Sequence, residues 1–417
     1  MTSNMLTNLL RSLLHRRARV IPLLAVILVL VVMPMHAQIF SSGSDGSDGP
    51  YAPSGPSGTV IIFDPTPFHG SQVAANIFNF TTITIPTGVT VKLSGNTLTG
   101  PIFWLASGDV NIEGTVDLSG GQGYGATSNP FLRVTSVPGS GGYAGGVGGN
   151  NVQLPQPGNG PGGGISGNNA ANGNGGPGTF SGNQFLIPLV GGSGGGGAWT
   201  NQGTIGGFPD GGGAGGGALL IAGSTQIIVN GTINANGGAS GTVNHAAGGG
   251  SGGAIRLVSN TITGSGSGVL EAIGGTATNS PGLQGVVRLE ATTISFAGGV
   301  SATLAESTPF PLLLPTAGPA SAKVISINGT PITPNPSTFP DITINTTSLV
   351  DVVIQTQNIP TTAVLTLTIL DENGVADTVV QAPPLGSCNS SNVCTTTAQV
   401  MFPFGASRGL TRVTWTQ

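Results

Sequence analysis

Two carboxylates occupy the same place in a repeated phrase, and their expected spacing is that of an acid–base pair. The phrase reads Glu-Gly-Thr-Val-Asp-Leu-Ser-Gly-Gly, Asn-Gly-Thr-Ile-Asn-Ala-Asn-Gly-Gly and Ser-Gly-Val-Leu-Glu-Ala-Ile-Gly-Gly from residues 113, 230 and 267. Its copies align Asp117, Asn234 and Glu271. In adjacent stacked strands the carboxylates would lie about 9–10 Å apart, near the upper limit for an inverting glycosidase. The alternative is that they are the solvent-facing members of alternating strands.

A second column combines an aromatic ring with two guanidinium groups. Four apolar runs begin at residues 102, 218, 254 and 286, and their third members are Trp104, Leu220, Arg256 and Arg288. Indole and guanidinium groups can stack on sugars and donate hydrogen bonds to them. Trp104, Arg256 and Arg288 are therefore candidate binding residues. The alternative is a solvated face on which Glu290 pairs with Arg288.

The remaining motifs are weaker indicators of a functional site. Asp45 and Asp48 lie in Gly-Ser-Asp-Gly-Ser-Asp-Gly and could hold Ca²⁺, but two carboxylates are too few for a strong site. We interpret this segment as a flexible polar linker and predict no cofactor. Gly-x-Ser-x-Gly occurs at 191–195 and 249–253. It marks a hydrolase nucleophile only on a strand–turn–helix, so within glycine runs we interpret it as chance.

Short parallel strands must position these candidates. Each apolar run is followed by a second short strand and, in most cases, by the repeated phrase, with Gly or Asn at the corners. Three strands in about 20 residues describe one coil of a parallel β-solenoid, which buries its apolar face only by stacking on neighbours. Alternation directs Val116, Ile233 and Leu270 inward, and Ala235 and Ala272 follow two places on.

Glycine is the residue that most often separates the short strands of this region. The chain has 73 glycines in 417 residues, concentrated between residues 120 and 253. Ordering free glycine segments costs much conformational entropy, which favours flexible loops extruded from the coil corners. The alternative is a packed layer of extended glycine segments. We place a glycine-rich insertion at about 120–216.

The sequence predicts an all-β protein, in which a parallel β-helix or solenoid with Gly-rich loops is followed by a small β-sandwich. The predicted parts are a Ser/Gly/Pro-rich linker (38–58), the solenoid (59–304), a Pro-rich linker (305–321) and an Ig-like sandwich (322–417). Seven alternating segments indicate the sandwich strands. They lie at 323–327, 341–345, 350–357, 364–370, 378–381, 395–402 and 411–415.

Residues 1–37 have the pattern of an export signal. Four arginines precede an apolar run over 20–33, and Met-His-Ala ends at residue 37. The run is short for a membrane span, which needs about 20 residues. The alternative is an uncleaved anchor, the only membrane contact we expect. Export would place Cys388 and Cys394 in an oxidising compartment, where a local disulfide is expected rather than a metal site. We therefore expect a secreted or cell-surface protein.

Charge is scarce and its balance is acidic. Charged residues make up 6% of the chain, against about 25% in average proteins. Removal of residues 1–37 takes four of the 11 Lys and Arg and none of the 15 Asp and Glu, which leaves a net charge of −8. Nucleic acid is a poor partner for such a chain, because phosphate binding needs clustered cations.

The coil sequences quoted above resemble glycine-rich secreted β-solenoid proteins of bacteria and, more broadly, the right-handed β-helix (pectate-lyase-like) superfamily. The resemblance covers roughly half of the chain. It implies either a polysaccharide lyase or hydrolase or a non-catalytic surface protein such as an adhesin. We favour an exported non-catalytic structural or adhesin-like protein that contacts polysaccharide, cell-surface or matrix components. The alternative is a carbohydrate-active enzyme with Asp117 and Glu271 as acid and base.

Overall fold

A computed structural model describes most of the chain outside its N-terminus. The described residues are 39–68, 76–125, 133–151, 153–168, 173–200, 210–241, 247–315, 321–332, 342–371, 378–386, 388–389, 392–402 and 409–416. The chain divides into two compact units, Met1–Ile39 and Phe40–Gln417. The predicted export signal lies outside the described residues, and everything below concerns the second unit.

All regular structure in the described residues is β-strand. In the described part of the chain, fourteen strands precede residue 308. They are β1 (Thr59–Ile62), β2 (Ile77–Phe80), β3 (Ile83–Ile85), β4 (Val89–Lys92), β5 (Ile102–Ala106), β6 (Val110–Ile112), β7 (Thr115–Asp117), β8 (Ala218–Val229), β9 (Thr232–Asn234), β10 (Ala254–Gly264), β11 (Val269–Glu271), β12 (Val286–Phe296), β13 (Gly299–Ser301) and β14 (Thr303–Ser307).

These strands form two parallel sheets that share the coils of a solenoid. The first sheet has the order β1-β4-β7-β9-β11-β13, and the second has β14-β12-β10-β8-β5-β2, with β3 and β6 completing its lower coils. Each coil therefore contributes one short strand to the first sheet and one longer path to the second. The predicted fold class is confirmed.

The core lies between the two sheets. Val116, Ile233 and Leu270 occupy matching registers and are fully buried, as are Ala235 and Ala272. Their inward direction was predicted from alternation and is confirmed. The first halves of β8, β10 and β12 are buried on both faces, which explains why they read as continuous apolar runs.

Aromatic rings close the N-terminal end of this core. The cluster comprises Tyr51, Phe63, Phe68, Phe78, Phe80 and Trp104. The ring centroids of Tyr51 and Phe80 lie 5.2 Å apart, and those of Phe63 and Phe78 lie 5.0 Å apart. Large rings cover the first coil, which has β1 as the edge of its sheet.

Burial in this cluster predicts a stability loss at alkaline pH. Desolvation raises the pKa of the Tyr51 phenol above its ordinary value of 10.0. The folded state therefore keeps the proton that the unfolded state loses, and the resulting stability is complete below about pH 10 and declines above it. Above about pH 10, we expect the free energy of unfolding to fall with pH less steeply in Tyr51→Phe than in the parent protein, by up to about 1.4 kcal/mol per pH unit. Urea unfolding at several alkaline pH values measures it, and an unchanged slope would contradict the assignment.

The segment predicted to be a flexible linker lies along the coils. Residues 40–51, which we call the N-terminal strap, cross successive turns of the second sheet. Asn260 holds the backbone of Phe40 through its Oδ1 and Nδ2 at 2.8 and 2.9 Å. The Ser42 hydroxyl donates to the Ala106 carbonyl at 2.7 Å, and that of Ser44 to the Phe80 carbonyl at 2.7 Å. Side-chain hydrogen bonds at three coils fix the strap.

Glycine segments form the side of the solenoid that joins the first sheet back to the second. They comprise residues 118–124, 136–149, 156–167, 173–179, 191–200, 210–217, 235–241, 247–253, 272–276 and 282–285. We call them the glycine lattice. None of them contains a named strand, yet backbone hydrogen bonds join them throughout. The Gly-Gly that ends each repeated phrase begins three residues after the strand of the first sheet and lies within the lattice.

Residues 211–217 show how the lattice is connected. Their amides donate to three neighbouring segments in strict rotation. Residues 211, 214 and 217 donate to 118–124, residues 212 and 215 to 143–146, and residues 213 and 216 to 248–251. Their carbonyls accept from three further stretches, 192–195, 136–139 and 238–241, of which 136–139 belongs to the same segment as 143–146. A period of three residues per turn with extended backbone is that of the polyproline II helix, here surrounded by six neighbours.

Close backbone approach explains why this lattice requires glycine. A Cβ added to Gly213, Gly215 or Gly216 would lie 1.8–1.9 Å from a carbonyl oxygen of the next segment. No side chain fits at such a position, and glycine alone permits it. The favoured interpretation of flexible loops was wrong for these residues, and the packed layer is the correct alternative. The entropy of ordering glycine is offset because nearly every amide gains a partner.

The remaining strands form two antiparallel sheets around a separate core. They are β15 (Ser321–Ile327), β16 (Thr330–Pro331), β17 (Val350–Gln357), β18 (Val364–Asp371), β19 (Thr378–Gln381), β20 (Val393–Val400) and β21 (Gly409–Thr416). The sheet orders are β16-β15-β17-β20 and β19-β18-β21. Residues of both sheets, among them Ile354 on β17 and Leu367 on β18, share one buried cluster.

Two details of this sandwich bear on the predictions. Cys388 and Cys394 form the expected disulfide, with a Cα–Cα distance of 4.3 Å. Cys394 lies on β20 and its side chain is buried in the sandwich core. The predicted strand at 341–345 is wrong, since residues 342–345 have no strand pairing. Ile342 and Ile344 still pack against the core, which accounts for their alternating pattern.

Candidate functional site

The carboxylate column has the register that the repeated phrases predict. Asp117 on β7 pairs with Asn234 on β9, and Asn234 pairs with Glu271 on β11. Lys92 on β4 precedes them in the column. Its Nζ lies 3.8 Å from Asp117 Oδ2. The two carboxylates are therefore separated by one intervening strand, as an acid–base pair on this face would require.

Both carboxylates are engaged in local structure. Asp117 Oδ1 accepts hydrogen bonds from the amide and the hydroxyl of Ser119, the former at 2.9 Å. Asn236 Nδ2 donates to Glu271 Oε2 at 2.9 Å. The amide of Asn236 donates to Asn234 Oδ1 at 2.8 Å, so the column repeats one corner motif. Such side-chain-to-backbone bonds stabilise the turn from the first sheet into the lattice.

A pair of substitutions tests whether Asp117 stabilises the corner. We expect Asp117→Ala to lower the free energy of unfolding by about 1 kcal/mol, because the Ser119 amide loses its acceptor. Asp117→Asn keeps an acceptor oxygen and should lose less than half of that. Chemical denaturation of both variants measures the difference. Equal losses would show that the hydrogen bond to Ser119 contributes nothing.

The second predicted column is not formed as aligned. Trp104 pairs with Ile221, and it is Phe103 that pairs with Leu220. The one-residue shift puts the Trp104 side chain inside the solenoid, where it is completely buried among the aromatic rings. Trp104 is therefore separated from the two arginines by the sheet itself, since neighbouring positions on a strand point to opposite faces.

Arg256 and Arg288 are adjacent, but neither lies on a solvated face. The two residues pair in register on β10 and β12, and Glu290 lies between their guanidinium groups. Arg256 Nε and Nη2 donate to the Glu290 carboxylate at 2.9 and 3.1 Å, and Arg288 Nε donates at 2.6 Å. The exposed fractions of Arg256, Arg288 and Glu290 are 1%, 3% and 0%. The expected pairing of Glu290 with Arg288 is present, within a buried triad.

Two segments cover this triad. The Phe310 amide donates to Glu290 Oε2 at 3.0 Å. Arg288 donates to the Ser307 hydroxyl at 2.7 Å and to the Gln184 carbonyl at 3.2 Å. Its guanidinium carbon lies 5.2 Å from the Phe185 ring centroid and 5.5 Å from that of Phe310. Part of the predicted Pro-rich linker and a loop of the glycine-rich region are thus held on the outer face of the second sheet.

An apolar pocket lies beside the triad on the same outer face. Its volume is about 420 Å³. Phe103 and Leu220 of the second sheet form its floor, and Leu189 and Leu313 belong to the covering segments. Arg256 is the charged residue of its lining. The pocket could not be predicted from the sequence, because Trp104 rather than Phe103 was aligned with Leu220, and the covering segments were assigned to loops and linkers.

The remaining motifs have structural roles. Asp45 Oδ1 accepts from the Ser47 amide at 2.9 Å, and hydrogen bonds from Ser47 lower the pKa of its carboxyl group. Asp48 Oδ2 accepts from the Asn79 amide at 2.6 Å. In the described part of the chain, no three His, Cys, Asp or Glu residues cluster as metal ligands would. Ser193 and Ser251 of the two Gly-x-Ser-x-Gly motifs are fully buried, and the Ser193 amide donates to Ser251 Oγ at 2.8 Å.

The lattice also gathers the ends of several glycine segments. Gly211 donates to the Tyr124 carbonyl at 2.8 Å, and Gly241 donates to the Gly211 carbonyl at 3.0 Å. Ala198 donates to the Asp210 carbonyl at 2.9 Å, directly before Trp199. Tyr124 and Trp199 are both partly exposed. We call this region, defined by Tyr124, Trp199, Asp210 and Gly241, the lattice tip.

No protein family, curated protein or solved structure matches this chain. Within the described residues, no helix has the length and apolar character needed to span a membrane.

Proposed function

We propose that this protein is an exported, non-catalytic surface or matrix protein of the adhesin-like kind. One observation carries the proposal: hydrogen bonds of the backbone of residues 211–217 tie them to six stretches in five neighbouring segments. A lattice in which carbonyl oxygens occupy the side-chain positions supplies rigidity rather than reactive groups. Such a lattice is suited to holding the ends of its glycine segments in fixed positions.

The lattice tip is the proposed contact surface. Tyr124 accepts a hydrogen bond from the Gly211 amide, and Trp199 follows Ala198, whose amide donates to the Asp210 carbonyl. Partly exposed aromatic rings on a rigid support are suited to stacking on sugars, and they lose little conformational entropy on binding. A polysaccharide of a cell surface or matrix is therefore the proposed partner.

Export is part of the same proposal. The disulfide between Cys388 and Cys394 is compatible with an oxidising compartment. The arginines and the apolar run within residues 1–37 support a cleaved signal. Detection of residues 38–417 in the medium or on the cell surface, with Gln38 as the first residue, tests this part.

The competing proposal is a polysaccharide-cleaving enzyme, and it rests on the Asp117–Asn234–Glu271 register. The two proposals separate in one experiment on residues 38–417, with retention and product release measured on a polysaccharide panel. Retention without cleavage supports the adhesin-like function. Cleavage that is lost in both Asp117→Asn and Glu271→Gln would overturn it in favour of the enzyme.

The contact surface is tested by variants in the same assay. Tyr124→Ala and Trp199→Ala should each weaken retention about tenfold, as expected for a lost stacking contact of about 1.4 kcal/mol. Val379→Ala, which alters an exposed apolar side chain of the sandwich, is the matched control. Full retention by both tip variants would contradict the lattice tip as the contact surface.

A further inference from the structure

The pocket beside the buried triad combines an apolar wall with an excess of positive charge. Arg256, Arg288 and Glu290 supply two guanidinium groups and one carboxylate. The Glu290 oxygens are already shared among Arg256, Arg288 and the Phe310 amide. One positive charge is thus left without an anion inside the triad.

The guanidinium that lines the pocket retains donor capacity. Arg256 uses Nε and Nη2 on Glu290. Within the described residues its Nη1 makes no hydrogen bond, although the side chain is 1% exposed and lines the pocket. The donor belongs to a residue that lines the pocket, and an anionic oxygen entering the pocket would accept a charge-assisted hydrogen bond from it.

The rest of the pocket determines what such a ligand must carry. Phe103, Leu189, Leu220 and Leu313 present apolar surface. The volume of about 420 Å³ lies within the range of pockets that enclose small organic ligands. Leu313 is 66% exposed, so the pocket has a lip that faces solvent. The apolar part of a ligand would be covered while its anionic head reaches Arg256.

We propose that this pocket binds a monocarboxylic acid with an apolar tail, in which the carboxylate accepts hydrogen bonds from Arg256 Nη1. The tail packs against Phe103 and Leu220 on the second sheet and against Leu189 and Leu313 on the covering segments. Binding therefore links the loop over the sheet to the segment before the sandwich. The inference does not depend on the proposed surface function, because the pocket and the lattice tip share no residue.

The test compares three ligands with ten-carbon chains by isothermal titration calorimetry on residues 38–417. Decanoate should bind at least tenfold more tightly than decanol, since a charge-assisted hydrogen bond is gained. Decyltrimethylammonium should bind more weakly than decanol, because its charge opposes that of the triad. Equal affinities for the three ligands, or binding of none of them, would overturn the proposal.

Two variants locate the binding. Arg256→Met should remove the preference for decanoate over decanol, and Lys92→Met, which alters a remote exposed cation, should preserve it. Leu313→Asp places a carboxylate at the exposed lip and should weaken decanoate at least tenfold, whereas Leu349→Asp on the sandwich should not. If Arg256→Met does not fold, the comparison of Leu313→Asp with Leu349→Asp tests the proposal by itself. Equal effects of Leu313→Asp and Leu349→Asp would overturn the assignment to this pocket.

Discussion

Replacing Gly215 with alanine is expected to lower the free energy of unfolding by more than about 3 kcal/mol. The added Cβ would lie 1.8 Å from the Gly192 oxygen and 2.2 Å from its carbonyl carbon. Neither segment can give way without breaking backbone hydrogen bonds, because Gly215 donates to Tyr143 and Gly192 donates to Gly216, both at 2.8 Å. The clash is with backbone, so no side-chain rotation relieves it.

Gly266→Ala is the matched control, since its Cβ would meet nothing within 4 Å. We expect a change of less than about 0.5 kcal/mol there. Hydrogen exchange gives a second reading, because the amides of residues 211–217 should exchange slowly in the parent protein and rapidly in Gly215→Ala. Rapid exchange of these amides in the parent protein would contradict the lattice and restore the interpretation of flexible loops.

The second large effect is expected at the buried triad. Glu290→Gln should cost about 3–5 kcal/mol, because it leaves two buried guanidinium groups without a countercharge. Arg256 and Arg288 lie on adjacent strands, so their mutual repulsion is also no longer screened. Urea denaturation of the variant and of the parent protein measures the loss.

The matched variant removes the whole triad. Methionine at 256, 288 and 290 together should be nearly neutral or stabilising, since desolvation of three charges is then no longer required. The difference between the single and triple variants isolates the cost of an unpaired buried charge. Similar losses in both would mean that packing, rather than charge balance, determines stability at this site.

The carboxylate column and the arginine column show why register could be predicted at one place and not at another. In β7 and β9 an apolar residue lies between two polar ones, and in β7, β9 and β11 alike only the central residue is buried, so one alignment is favoured. In β5 and β8 both faces are buried. An alignment shifted by one residue therefore satisfies the pattern equally well, and Trp104 was assigned to the wrong face.

The glycine-rich region posed a different problem. A glycine segment has no side-chain pattern, so its sequence does not indicate which neighbour each amide will meet. Flexible loops and a packed lattice have the same composition. The decision depended on whether other segments would lie close enough to accept the hydrogen bonds of residues 211–217, and those segments come from positions 118 to 251.

The sequence by itself determined the solenoid, its inward residues, the disulfide and the order of the carboxylate column. Each of these follows from local alternation or from the spacing of like residues. Tertiary structure alone decided the face on which Trp104 lies, the burial of the Arg256–Glu290–Arg288 triad, the pocket and the lattice. Burial, charge pairing and backbone hydrogen bonding at these sites depend on segments far apart in the chain, and no local pattern records which segments will meet.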